Sequence, residues 1–474
     1  MMPSTLKTFP GPRLAALTVI LVAPCAHGEV AIHPLISFNF SNGSQPSAGL
    51  VQGPDGAFYG TTQTGGAYNQ GTVFKIASNG AFTNLLSFSG INGSYPGANP
   101  AGNLVFDANG NYYGTTESGG ASNNGTIFEV TATGGFTNLV SFTGSGGACP
   151  GDDPVAGLVW CTNGNLYGTT QLGGTNDLVN GPDGTIFEVT TNGVFTSLVS
   201  FSGTNGAWLG TGPAGSLVLG ADGNFYGTTE FGGTNDLANG GDGTVFRMTP
   251  AGVFTSLFSF NAANGANPQA GLVQAGDGSF YGTTYNGGSN ALGTVFKMTA
   301  AGLLTSLLAF NNANGANPQA GLVQGLDGDL YGTTKSGGTS NYGTVFEITP
   351  AGGFTSLVSF ANTNGAYPVA GVTQGRDGNC YGTTASGGTS YVYGTVFRFT
   401  PPPKFLKQWQ TNGAFAFNWS AATGRTYQVQ FIARLGQTNW SNWGSAVPAT
   451  NSIATAADPL GTNQQRFYRV ELVP

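Results

Sequence analysis

The chain has 474 residues, of which 80 are glycine, 39% are hydrophobic and 7% are charged. That length allows a large buried core; glycine without a Gly-X-Y period excludes collagen, and 12% aromatic residues exclude a disordered chain. Residues 29–403 carry 6 basic and 19 acidic residues, whereas residues 404–474 carry 6 basic and 2 acidic. An acidic body excludes nucleic acid as the partner, and the small basic excess of the tail reads as solvated surface.

The N-terminus reads as an export signal. Lys7 and Arg13 accompany an apolar run over residues 14–24, and Ala26-His27-Gly28 offers small residues to a signal peptidase. The expectation is a signal peptide over residues 1–28 and a mature protein that is secreted or held at the cell surface. About eleven apolar residues fall short of the roughly 20 needed to cross a bilayer. No later segment is long and apolar enough either, so no membrane span is expected in the mature chain. Pro24 stands where a lipidated Cys25 would need a small neighbour.

The phrase Tyr-Gly-Thr-Thr then occurs seven times, starting at Tyr59, Tyr113, Tyr167, Tyr226, Tyr281, Tyr331 and Tyr381, with spacings of 54, 54, 59, 55, 50 and 50. A period near 50 belongs to propeller arrays. Each copy holds four strand-like pieces. In repeat 6 these are Ala320-Gly321-Leu322-Val323, a stretch over residues 329–334 after the turn Asp327-Gly328, a stretch over residues 343–348, and Phe354-Thr355-Ser356-Leu357-Val358-Ser359-Phe360. Short strands with glycine turns between them read as consecutive hairpins, and four antiparallel strands make one propeller blade. Repeat 7 stops after its third strand, at Pro401-Pro402-Pro403, while Leu35-Ile36-Ser37-Phe38-Asn39-Phe40 near the start resembles an orphan fourth strand. The fold class expected is therefore all-β. It is a seven-bladed β-propeller over residues 29–403, closed by the N-terminal strand so that no sheet edge is exposed, and followed by a small β-sandwich-like domain over residues 404–474. The repeated tyrosine reads as a ring packed between blades with its hydroxyl bonded locally.

Units such as Gly278-Ser279-Phe280-Tyr281-Gly282-Thr283-Thr284, with Gly287-Gly288 and Gly293-Thr294-Val295-Phe296-Lys297 following, resemble the GloVer tandem repeat. That family comprises exported bacterial proteins of the choice-of-anchor type. The resemblance covers residues 33–400 and implies secretion or surface display; it carries no catalytic residue with it. Residues 404–474 lack the apolar sorting segment of some members. There, Phe415-Ala416-Phe417-Asn418-Trp419, Thr426-Tyr427-Gln428-Val429-Gln430 and Arg466-Phe467-Tyr468-Arg469-Val470-Glu471-Leu472 alternate as strands do. They resemble a short fibronectin-III-like sandwich, which implies a spacer, attachment module or sorting signal.

Chemistry is sparse. With His27 inside the signal, only His33 remains, which excludes Ser-His-Asp and Cys-His catalysis and histidine-rich metal sites. The residue after Tyr-Gly-Thr-Thr varies: Gln63, Glu117, Gln171, Glu230, Tyr285, Lys335 and Ala385. A position that varies in a fixed frame is free to specialise. Glu117 and Glu230 are the candidates for an acid/base pair, with solvated rim residues the plainer reading. The loops holding Asp177, Asn180 and Asp183, and Asp236, Asn239 and Asp242, concentrate oxygen donors of the kind Ca²⁺ prefers, although Asn and Asp also favour plain turns. Asp152, Asp153 and Trp208 share that face in longer inter-repeat loops, which makes repeats 2 to 4 the least uniform sector. Cys149 and Cys161 are close enough in sequence to form a disulfide in an exported protein; Cys380 reads as a buried thiol. The function expected is an exported, non-catalytic binding or scaffold propeller taking a glycan or protein. The alternative is an extracellular polysaccharide lyase or hydrolase using carboxylates or a bound cation.

Overall fold

The strand-like pieces of each repeat pair with their sequence neighbours; tight turns favour this between the first and second and between the third and fourth strands, while a longer loop joins the second to the third. In the computed structural model, residues 20–21, 30–175, 183–204, 206–235, 241–411, 414–434, 437–459 and 466–473 are described. In repeat 6, Val323–Gln324, Leu330–Thr334, Thr344–Ile348 and Phe354–Ser359 form one antiparallel sheet. Six further blade-like sheets of four strands follow this plan among the described residues. One is composite. His33–Ser37 pairs antiparallel with Thr395–Phe399, Ile36 opposite Val396, so a leading strand supplies the fourth strand that repeat 7 lacks. No helix long and apolar enough to cross a membrane occurs among the described residues.

The repeated phrase is legible residue by residue. The tyrosines are buried. Each hydroxyl seeks a partner in its own sheet: Tyr59, Tyr226, Tyr281 and Tyr331 donate to Asp55, Asp222, Asp277 and Asp327 of the preceding turn at 2.7–2.8 Å. Each ring packs on the next sheet, as Tyr59 does on Tyr112 (centroids 3.9 Å apart) and Tyr226 on Phe280 (4.0 Å). Glycine follows because a Cβ on Gly332 would lie 2.5 Å from the Phe346 ring. The first threonine reaches the neighbouring repeat: Thr115, Thr228, Thr283 and Thr333 donate to the carbonyls of Ala156, Ala270, Ala320 and Ala370 at 2.8–3.0 Å. The second bonds the threonine that opens the third strand, at 2.8 Å in all seven repeats.

The same contacts join repeat 7 to repeat 1. Tyr381 packs on Phe58 at 4.0 Å, and Thr383 donates to the Ala48 carbonyl at 3.0 Å. Gly394, at φ +88°, leaves room for the Pro46 ring, which a Cβ would meet at 2.7 Å.

By its contacts the chain divides into two compact units. Glu29–Gly375 with Asn379–Thr400 holds the seven sheets, and Pro401–Pro474 forms the second with residues 1–28 and 376–378. In the second unit Phe405–Thr411, Ala414–Ser420 and Ile453–Pro459 make one sheet, while Thr426–Ile432 and Phe467–Leu472 are paired in another. Phe415, Phe417 and Trp419 of the first share a core with Tyr427, Val429, Tyr468 and Val470 of the second. Ile20–Leu21 pairs in parallel with the Phe467–Leu472 strand, inside the segment read as a signal.

The Cys149–Cys161 disulfide is not formed; Cys149, Cys161 and Cys380 are all thiols. Cys149 packs in the cluster between repeats 2 and 3, and Cys161 in that between repeats 3 and 4. Cys149 lies in the loop before the first strand, and Cys161 begins the turn after it. The two thiols therefore belong to different inter-repeat clusters, with the Val159–Trp160 strand between them in the chain.

Deleting residues 29–47 removes the fourth strand of the composite sheet. The expected result is oligomerisation, or a melting temperature lower by more than roughly 10 °C, because an unpaired edge recruits other strands. Light scattering and calorimetry check it; a monomer as heat-stable as the parent contradicts the role given to that strand.

Candidate ligand-binding mouth

The variable residue after Tyr-Gly-Thr-Thr is positioned by backbone. In every repeat its N–H donates to the carbonyl of the residue just before a proline: Gln63 to Gln45, Glu117 to Asn99, Glu230 to Gly212, Lys335 to Asn317 and Ala385 to Tyr367, all at 3.0–3.2 Å. The accepting residues have φ between 50° and 64°. A residue before proline ordinarily favours extended backbone, so sequence reasoning missed this ring of left-handed positions. The signal was present as a recurring Asn-Pro. The Asn99, Asn267 and Asn317 amides donate back to the Gln63, Glu230 and Tyr285 carbonyls at 3.1–3.2 Å, bridging neighbouring repeats.

This scaffold brings six of the seven variable residues, Gln63, Glu117, Gln171, Glu230, Lys335 and Ala385, to one cavity of about 620 Å³. Gln45, Gln269, Gln319 and Tyr367 complete its polar wall, opposite Ala101, Val155, Ala214 and Val369. A second cavity of about 400 Å³ shares part of this lining and is bounded by first-strand glycines from all seven repeats, Gly49 and Gly371 among them. Tyr285 is not part of the wall, but its ring lies 5.8 Å from the Lys335 ammonium.

Glu117 and Glu230 are half-buried and bonded, not solvated rim residues as expected. Gln63 donates to Glu117 at 3.1 Å. Gln171 and Gln269 donate to the two oxygens of Glu230 at 3.3 and 2.7 Å. Each carboxylate thus takes an amide from another repeat. Burial raises the pKa of Glu230, and the two amide bonds partly offset it. The Gln269 and Gln319 side-chain oxygens are buried without a hydrogen-bond partner, unusual for groups that folding normally satisfies.

The other singled-out residues lie outside the cavity wall. Trp208 is exposed, and its backbone is tied to Ser202. Asp152 and Asp153 form the junction before repeat 3, where the Asp153 carbonyl holds Gln171. Asp177, Asn180, Asp236 and Asn239 lie outside the described residues. Asp183 is buried and Asp242 half-buried; their carbonyls accept from the N–H groups of Gly212 and Asn267. No cluster of three or more His, Cys, Asp or Glu able to hold a metal occurs among the described residues.

Asp153 carries a testable consequence. Burial, then the charges of Asp152 and Glu117, push its pKa up to about 6. A raised acid pKa means the folded state holds the proton more tightly than the unfolded one, so stability falls as pH climbs from about 4 through 6. Asp153→Asn, the residue at this place in repeats 2, 5 and 6, is expected to raise the melting temperature by roughly 2–4 °C at pH 7.5. The gain should shrink at pH 4; calorimetry showing equal gains at both values refutes the assignment.

The chain matches the model of the Gloeobacter/Verrucomicrobia repeat over residues 24–238 and 212–438. No curated protein matches it. Similar solved structures include the extracellular domain of a hybrid two-component system from B. thetaiotaomicron, at 11% identity and a TM-score of 0.49, over 93% of this chain and 58% of that one. A puromycin hydrolase is similar at 13% identity and 0.47, over 81% and 60%. A luciferin-regenerating enzyme is similar at 14% and 0.39, over 64% and 91%. Matched across most of its length, the chain belongs to the Gloeobacter/Verrucomicrobia repeat family.

Proposed function

We propose that this protein is an exported, non-catalytic binding propeller that takes a glycan at the mouth. In this reading the seven sheets are seven blades, and the ring closes through the pairing of His33–Ser37 with Thr395–Phe399. The contacts of Tyr381 with Phe58 and of Thr383 with Ala48 support closure, because they repeat those between other neighbouring repeats, such as Tyr226 with Phe280 and Thr228 with Ala270. The basic start and apolar run before Gly28 support export. Residues 404–474 then serve as a fibronectin-III-like spacer or attachment module.

One observation carries the binding role: the position that varies most between repeats converges on one cavity walled by amides. Amides both donate and accept, as sugar hydroxyls do, and Gln45, Gln63, Gln171, Gln269 and Gln319 all line this cavity. Lys335 belongs to the wall and carries Tyr285 beside it, and Trp208, Asp152 and Asp153 would meet a ligand larger than the cavity. A second reading, a polysaccharide lyase or hydrolase, is favoured by the raised pKa of Glu230, since a general acid must keep its proton.

A glycan array probed with residues 29–474, with and without calcium, tests both. Gln319→Ala is expected to weaken binding about tenfold, near 1.4 kcal/mol, while shifting the melting temperature by less than roughly 2 °C. Absence of any glycan signal refutes the binding role. Release of new sugar ends, lost in Glu230→Gln, would favour the enzyme instead.

A further inference from the structure

Three aromatic residues occupy left-handed backbone: Phe40 at φ 70°, Tyr367 at 54° and Tyr391 at 60°. All three are exposed, by 42%, 37% and 56%. At the same places other repeats carry glycine, alanine, an amide or, at Asp153, a carboxylate. Phe40 bridges Gly43 as Asn312 bridges Gly315 and Asn362 bridges Gly365. Tyr367 stands where repeats 2, 5 and 6 have Asn99, Asn267 and Asn317. The Tyr391 N–H donates to Gly388 as those of Asn69, Asn123 and Asn341 donate to Gly66, Gly120 and Gly338. Asparagine tolerates this conformation, and bulky side chains resist it. An exposed ring returns no core packing for the strain. Strain that the fold does not need is a pointer to function.

Phe40 and Tyr367 lie on consecutive junctions, and Tyr391 lies in the loop between the second and third strands of repeat 7. Phe40 packs against Tyr393 at 6.0 Å, and the Tyr393 carbonyl accepts from Gln45. Tyr367 packs edge-on against Tyr342 at 5.8 Å and also lines the mouth. Residues 39–47, 336–343, 361–368 and 386–394, which carry these rings, contain no Asp, Glu, Lys, Arg or His. Their polar groups are hydroxyls and amides. Lys335 directly precedes the second of these segments and lines the mouth together with Tyr367; the other charged residues of this face, Asp152 and Asp153 among them, belong to other repeats.

We propose that Phe40, Tyr367 and Tyr391 form a stacking platform for a neutral polysaccharide whose end enters the mouth past Tyr367. The occupant follows from the chemistry. Aromatic faces meet the flat C–H faces of pyranose rings, and hydroxyls and amides between them meet sugar hydroxyls. Among the segments that carry the rings an anionic polysaccharide or a charged peptide finds no counter-charge, and the mouth sets one cation, Lys335, against two carboxylates, Glu117 and Glu230. The proposal deepens the glycan reading and rests on it for the fate of the chain end.

Affinity electrophoresis of the full chain through gels containing mixed-linkage β-glucan, xyloglucan or galactomannan tests it, with alginate and polygalacturonate as anionic controls. At least one neutral polymer should retard the parent, and the anionic polymers should not. The triple variant Phe40→Asn, Tyr367→Asn, Tyr391→Asn should bind at least tenfold more weakly, yet melt at the same temperature or higher because strain is relieved. Undiminished binding by the triple variant, a melting temperature lower by several degrees, or retardation by anionic polymers alone would overturn the platform. So would no retardation by any neutral polymer. If the triple variant binds as the parent does and Gln319→Ala does not, the platform falls and the mouth stands. If Gln319→Ala binds as the parent does and the triple variant does not, the mouth falls and the platform stands.

Discussion

Each repeated tyrosine is gripped from two sides, and the architecture of the repeat body depends on that grip. In Tyr167 and Tyr226, for example, the hydroxyl is tied to a carboxylate of its own sheet, while the ring packs on the next sheet. A sheet held on both faces has almost no solvated surface except at its ends and its outer strand. The second and third strands are therefore buried nearly throughout, as in Phe280–Thr284 and Thr294–Met298. Charge survives in those strands at one place, the residue opposite the tyrosine, where Lys297 reaches out to Asp277 at 2.8 Å. A composition with 7% charged residues follows from this packing.

The same rigidity explains why variation is informative at the mouth. The backbone bond from the variable residue to the pre-proline carbonyl recurs in every repeat, whatever side chain is present. Side chains as different as Lys335, Glu230 and Ala385 therefore leave a common frame in a common direction and meet in one cavity. Their interactions run between repeats: Gln63 with Glu117, and Gln171 and Gln269 with Glu230. A change in one repeat alters the environment of its neighbour, so the mouth specialises as a whole even though each repeat diverges singly.

Much of this was legible in the sequence. The hairpin order, the buried tyrosine and the orphan strand near residue 36 followed from turn chemistry, alternation and counting. Convergence of the position after Tyr-Gly-Thr-Thr on one face followed from the strand order. What was not legible depends on distances between segments remote in sequence. Glu117 and Glu230 looked like solvated rim residues because their amide partners lie 54, 59 and 39 positions away. Cys149 and Cys161 looked pairable because sequence proximity hides the strand that separates them. The left-handed residue before each proline runs against the local rule, and only its interlock with two neighbouring repeats sustains it.

Divergence within a repeat therefore has two meanings, and the backbone angle tells them apart. At the variable mouth position φ is ordinary, any side chain is admitted, and a change costs the fold little; a glutamine there says only that nothing forbids it. At the left-handed positions the fold prefers asparagine or glycine, and most repeats comply. An aromatic residue there opposes a local preference and gains only partial burial. Since most substitutions that strain a backbone destabilise the fold, such a residue persists only if something outside the fold compensates. The three that do so are exposed and sit in loops without charge around repeat 7, which is what singles them out for the stacking role proposed above.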